Sequence, residues 1–290
     1  MLKEWPLVAF TIAGQTAVGA FLLVFPLLVL SPAETAWSST ARGKVLVIWG
    51  MTFGLVAIAA GLSFFHLHHP FRAHRTLANF RTSWLSREIF FELAFIALLA
   101  LALVLVVTGR TAGPFIRAVM AAAALAAILF LVSMGRLYAL ESVPSWDPAY
   151  IGISFFLTAV SLGAMATAWA TRSPLGTGSY FSALWSASFY FIAADAVFAA
   201  FVTPVYGIVG YRPTPSLRPP VRGSRLLFFG RLALLAGGVF VLIMVMSRDE
   251  IIAGAGTGSG PLLTLAFALV LASEVAGRFL FYGFAPRPGD

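Results

Sequence analysis

Cysteine is absent from the 290-residue chain. That excludes a disulfide frame, Cys-ligated zinc and an iron–sulfur cluster held by this chain. Charge is scarce as well. Asp, Glu, Lys and Arg make up 10% of the residues, against about 25% in a soluble domain. So few charges cannot cover a soluble 31.0 kDa globule, and a soluble enzyme is excluded. Alternating segments of about 10 residues, the mark of a membrane β-barrel, are missing. So is a signal-peptide pattern: Glu4, Trp5 and Pro6 interrupt the start, and no small-residue cleavage site follows. The first apolar run is expected to stay as a helix.

What the chain has in abundance is apolar residues: 60% are hydrophobic, and the mean hydropathy is +0.93. A spanning helix needs about 20 mostly apolar residues. Eight runs qualify, at approximately 6–30, 44–67, 88–108, 114–134, 149–171, 179–205, 226–247 and 261–282. Prolines and glycines mark nearly every boundary. Small residues such as Ala121–Ala124 let neighbouring helices approach closely. The expected fold class is all-α, a polytopic integral membrane protein built as an eight-transmembrane-helix bundle. Residues 1–290 form one transmembrane domain.

The net charge is +8 and the pI about 10.4. On a soluble protein that would suggest nucleic acid. Here the base is nearly all Arg, in short stretches between apolar runs, so membrane orientation, anionic lipid or an acidic protein partner explains it better. No nucleic-acid partner is expected. Of the 19 Lys and Arg, 13 fall on the side holding both termini and the loops after spans two, four and six, and 6 on the other. The positive-inside rule then puts both termini and the basic loops in the cytoplasm of a bacterial inner membrane.

The most informative loop follows the second span. All four His lie in residues 66–74, as His66-Leu67-His68-His69-Pro70-Phe71-Arg72-Ala73-His74. Arg75, Arg81, Arg87 and Glu88 follow. A metal site is one reading, although structural zinc usually recruits Cys as well; no metal site is expected. A bis-His haem needs ligands on two facing helices, and one stretch of His does not supply them, so no haem is expected. A quinone head-group site needs a hydrogen-bonding group, a proton carrier and an apolar slot. His66 at one helix end and Glu88 at the start of the next suit the first two. Snorkelling at the lipid head groups would explain the same residues. Arg136 and Tyr138, after the fourth span, fall on the same side and either complete that rim or anchor the interface.

Ionisable residues inside spans are costly, which makes each a functional candidate. Glu92 is one turn after Glu88. Asp195 lies near the middle of the sixth span and is either part of a proton path or paired with Arg231 or a neighbouring Ser. Glu274 precedes Arg278 by four residues, a spacing that favours an ion pair.

Several separated motifs run in order along the first five spans. They are Glu4-Trp5-Pro6-Leu7 with Phe10-Thr11 and Gly14-Gln15; His66-Leu67 with Pro70-Phe71-Arg72-Ala73; Leu85-Ser86-Arg87-Glu88-Ile89; Gly135-Arg136-Leu137-Tyr138; and Ile153-Ser154-Phe155-Phe156-Leu157-Thr158. In these the protein resembles the membrane anchor subunits of bacterial dimethyl sulfoxide reductase and its relatives. The resemblance implies an eight-helix anchor, without haem, for a molybdopterin catalytic subunit and an iron–sulfur subunit. It implies electron exchange with the quinone pool, menaquinone or ubiquinone being the bound substrate. The family's quinol-site His falls on His66 and its acidic partner on Glu88; His68 stands where the family usually has Gly. The Ser83–Glu88 run is most similar to the anchors of quinone-linked sulfite-oxidising members.

The expected function is therefore that of an anchor and quinone-reactive subunit, itself without the catalytic centre, of a molybdenum oxidoreductase, with sulfite as the partner's substrate. A dimethyl sulfoxide reductase-type quinol-oxidising anchor, a secondary transporter and a scaffold that binds no quinone are the rivals. The quinone-site residues would be His66, Glu88, Arg72, Arg136, Tyr138 and Gln15. Glu92 and Asp195 would relay protons. Arg75, Arg81, Arg87, Arg212, Arg218, Arg222 and Arg225 would dock the iron–sulfur partner, and membrane lipid would surround the rest.

Overall fold

The computed structural model describes residues 4–30, 37–66, 79–111, 113–139, 147–171, 189–203, 224–251 and 260–283. Among the described residues there are eight helices and no strand. They are α1 (Trp5–Leu30), α2 (Ser39–His66), α3 (Trp84–Val107), α4 (Pro114–Leu137), α5 (Pro148–Thr171), α6 (Phe189–Val202), α7 (Ser224–Ile251) and α8 (Gly260–Gly283). Seven are long and apolar enough to cross a membrane; α6 is shorter and ends in a π-helical turn at Phe198–Val202. In lipid every backbone polar group must be satisfied within the segment, which is why these runs fold as helices.

The boundaries follow local chemistry. Pro6 sits at the second position of α1, where its missing N–H costs nothing. Ser83 caps α3 by accepting a hydrogen bond from the Ser86 amide, so the helix starts at Trp84 rather than at residue 88. Glu88 therefore lies inside the helix, one turn past its start. Gly109 (φ 78°) and Gly113 (φ 107°) turn the backbone between α3 and α4. Both adopt a conformation that a side chain would strain. Pro114 then opens α4. The short connection makes α3 and α4 antiparallel neighbours. Arg42, near the start of α2, donates to the terminal α3 carbonyls of Val106 (2.6 Å) and Val107 (2.9 Å). That satisfies two of the acceptors a helix end leaves open.

α1 is the central helix: it packs against α2, α4, α5 and α8. Ala17, Val18, Ala20 and Phe21 on it are all buried. The α1–α5 crossing is set by two glycines. A Cβ on Gly19 would collide with the Ala159 carbonyl, and one on Gly163 with the backbone of Gly19 and Ala20. Such close approach suits a membrane, where van der Waals packing rather than water exclusion drives helix association. It also sets the register of the polar side chains one turn away, Gln15 on α1 and Thr158 on α5.

Candidate functional site

Among the described residues, the buried charged side chains gather in one half of the bundle. That half lies towards the end where α1, α3, α5 and α7 begin and α4 and α8 finish. At ~1.5 Å per residue, Glu88 is only ~6 Å from the start of α3, whereas Gln15, Thr158 and Glu274 lie ~14–15 Å in from that end of the bundle.

Nearest that end is a carboxyl pair. Glu88 and Glu92 are both buried on α3, one turn apart and interacting electrostatically. The Oε1 atom of each is buried without a hydrogen-bond partner. An unsatisfied buried carboxyl oxygen costs free energy, and it is a ready acceptor or donor for a ligand or water. Beside the pair lie two phenols. Tyr138, which caps α4, and Tyr282, on the last turn of α8, are both buried. Their rings meet edge to face, with centroids 5.5 Å apart. Phe281 and Phe155 complete this aromatic cluster. The Tyr282 hydroxyl is within electrostatic reach of Tyr138, Thr11, Glu88 and Arg278, and Tyr138 also senses Glu88 and Arg278.

Deeper lies a second layer. The Arg278 Nη2 donates to the Gln15 Oε1 (2.7 Å) and to the Thr158 hydroxyl (3.0 Å). That hydroxyl donates to the Glu274 carboxylate (2.7 Å). The other Glu274 oxygen is 3.3 Å from the Arg231 Nη2, and Asp195 is 3.9 Å from the same nitrogen. Gln15 turns its amide nitrogen to the Met134 sulfur at 3.3 Å. Five helices, α1, α5, α6, α7 and α8, are thus joined by one polar network, and through Met134 it reaches a sixth, α4. Two Arg and two acids share this layer. Gly277 makes the arrangement possible: a Cβ there would lie 2.8 Å from the Arg231 guanidinium.

The i,i+4 expectation for Glu274 and Arg278 is corrected here. Glu274 pairs with Arg231 on α7, and Arg278 bonds to neutral partners on α1 and α5. Asp195 does pair with Arg231, one of the two roles its position allowed. Gln15, expected at the quinone rim, is held between Arg278 and Met134. Arg136 is exposed at the end of α4 and does not share the buried setting of Tyr138. Arg87 is spent locally: it donates to the Phe80 carbonyl (3.0 Å) and the Arg81 carbonyl (2.6 Å) and stacks on Trp84 at 4.2 Å. Arg81 and Arg225 are exposed. The imidazole of His66 lies outside the described residues, as do Arg72, Arg75, Arg212, Arg218 and Arg222 entirely; the His66 backbone closes α2. Sequence reasoning placed Thr158 in a motif but missed its part in the polar network, and it missed Tyr282, which carries no signal apart from its neighbours.

Fold and site together define a multi-pass helical membrane protein with its buried ionisable groups massed towards one end. A family model described as DMSO reductase anchor subunit (DmsC) matches residues 1–284. The protein belongs to that family, and anchoring in the membrane is its role. It is similar to the C subunit of the anaerobic dimethyl sulfoxide reductase of Haemophilus influenzae, 29% identical over 97% of this protein and 95% of that one. It is also similar to two Escherichia coli K12 proteins. One is the YnfH subunit of an anaerobic dimethyl sulfoxide reductase, 27% identical over 97% of this protein and 94% of that one. The other is the C subunit of the anaerobic dimethyl sulfoxide reductase, 26% identical over the same shares.

Proposed function

We propose that this anchor is also the quinone-reactive subunit of its complex, passing electrons between a partner iron–sulfur subunit and the quinone pool of a bacterial inner membrane. The observation that carries the reading is Glu88. It is buried, with an unsatisfied carboxyl oxygen, one turn into the helix that follows the His-rich loop. An acid in that setting can hydrogen-bond a quinone ring or exchange its proton. His66, whose backbone ends the preceding helix, would supply a hydrogen bond to the ring. Glu92 is the next proton carrier; Asp195, ion-paired to Arg231, would be a later one. Tyr138 would border the ring and Arg136 its rim; Arg72 would add positive charge to the same site. Exposed Arg81 and Arg225, with Arg75, Arg212, Arg218 and Arg222, offer a basic face to an acidic iron–sulfur partner, which in turn carries the molybdopterin subunit. Membership of an anchor family displaces the transporter reading.

The basic loops favour cytoplasmic termini and cytoplasmic partners. With the Ser83–Glu88 run, that supports sulfite oxidation with quinone as acceptor. The relatives' names support the opposite direction, quinol oxidation coupled to reduction of dimethyl sulfoxide. Sulfite-dependent quinone reduction and quinol-dependent sulfoxide reduction, both assayed on the purified complex, decide between them.

The site itself is tested by His66→Ala and Glu88→Gln in the assembled complex. Both variants are expected to co-purify with two larger redox subunits and keep dye-linked activity of the catalytic subunit. Quinone-linked turnover should fall by roughly 10²-fold or more, the scale of a lost proton-transfer group. Full quinone-linked activity in both variants would remove these residues from the mechanism.

A further inference from the structure

Arg278 is 3% exposed, and no carboxylate lies within 4 Å of it among the described residues; the two buried ion pairs there are both made by Arg231. A buried charge without an opposite partner is expensive, yet the bundle holds this one firmly. Gln15 and Thr158 accept its hydrogen bonds at 2.7 and 3.0 Å. The Phe155 ring lies 3.9 Å beneath its guanidinium carbon, a cation–π geometry. These contacts come from α1 and α5, and the glycine crossing of those two helices fixes their register. Glu274 is turned away from Arg278 by Arg231 and reaches it only through the Thr158 hydroxyl. The field of this cation is therefore not cancelled at contact distance. On its outer side stand the Tyr138 and Tyr282 phenols, which interact electrostatically with it and with Glu88.

From this juxtaposition we infer that Arg278 is the fixed positive charge of the proposed quinone site, a positioning residue acting through Tyr138 and Tyr282 to favour a negatively charged ring oxygen. The inference rests on the reading of Glu88 above and adds what that reading lacked. The exposed Arg136 sits where solvent and lipid head groups screen it, whereas a buried cation acts at low dielectric. The ligand class is a quinone or hydroxyquinone head group whose oxygen carries negative charge. Thr158 and Gln15 hold the cation in place; Glu274, Arg231 and Asp195 form the ion-paired layer behind it.

The test measures the affinity of the assembled complex for two probes: a hydroxynaphthoquinone that is anionic at neutral pH, and its neutral methyl ether. The wild type should prefer the anion. Arg278→Gln should lose roughly tenfold or more in anion affinity, the scale of a charge-assisted contact, and little for the ether. Arg278→Lys should recover most of the preference. Thr158→Val, which keeps the cation and removes one of its anchors, should lose part of it and carries the test if Arg278→Gln fails to assemble. Equal losses for both probes, or an unchanged preference in Arg278→Gln and Thr158→Val, would overturn the inference while leaving the quinone site standing. A wild-type complex that binds neither probe would overturn the site reading and this inference together.

Discussion

Arg231→Leu is expected to leave the protein with two buried acids and no cation in contact with either. Arg231 is the only base within 4 Å of Asp195 or Glu274 among the described residues. Removing one partner of a buried ion pair costs about 3–5 kcal/mol, and a membrane interior is less forgiving than a soluble core. The damage should reach beyond the pair. Asp195 ties α6 to α7, Glu274 ties α8 to α7, and the Ser273 hydroxyl also bonds the Arg231 carbonyl at 3.0 Å. Thermal unfolding of the detergent-purified complex should move down sharply, or the protein should fail to accumulate. Asp195→Asn makes the opposite case. Its oxygens accept no hydrogen bond from a permanent donor, its ion pair is the longer one, and Arg231 would keep Glu274, so the cost should be far smaller. Equal stability of Arg231→Leu and the wild type would show that the network does not hold these helices.

Gly163→Ala should rank next. Its added methyl would overlap the backbone of Gly19 and Ala20. Backbone cannot step aside as a side-chain tip can, so α1 and α5 must part. Overpacking of this kind costs about 1–3 kcal/mol and occasionally more, and no water-driven collapse compensates within lipid. The separation would also pull Thr158 from the Gln15–Arg278 hydrogen bonds, so the variant should lose quinone-linked turnover along with melting temperature. Gly152→Ala on the same helix is the control. Nothing lies within 4 Å of its Cβ position, and Ala is the better helix former by about 1 kcal/mol. A neutral or slightly raised melting temperature is expected there. Were Gly163→Ala equally harmless, the close crossing would not be a feature of the folded protein.

The eight helices were legible because lipid demands long apolar runs and the sequence separates them with Pro and Gly. Element ends were less so. The expected start of α3 at residue 88 treated Glu88 as interfacial. The Ser83 cap adds a turn ahead of it and moves the carboxyl inside. α4 likewise runs on to Leu137, which makes Tyr138 its cap and buries the ring. Within the site, Glu88 and Glu92 share a face because helical spacing fixes it, so that relation could be read from the sequence. The Glu274–Arg278 spacing misled for the same reason. It reports what an isolated helix would do, whereas here Arg231 on α7 and Gln15 on α1 compete for the two side chains. Gln15 and Arg278 are 263 positions apart, and no local pattern links them. The buried ends of Thr158 and Tyr282 are fixed only by packing.

The most direct check of the quinone reading is equilibrium binding of a non-reducible quinone analogue to the assembled complex, titrated on wild type, His66→Ala and Glu88→Gln. The account predicts saturable binding to the wild type, weakened by roughly tenfold or more in each variant, a loss of about 1.4 kcal/mol apiece. Affinities that coincide across all three would contradict it.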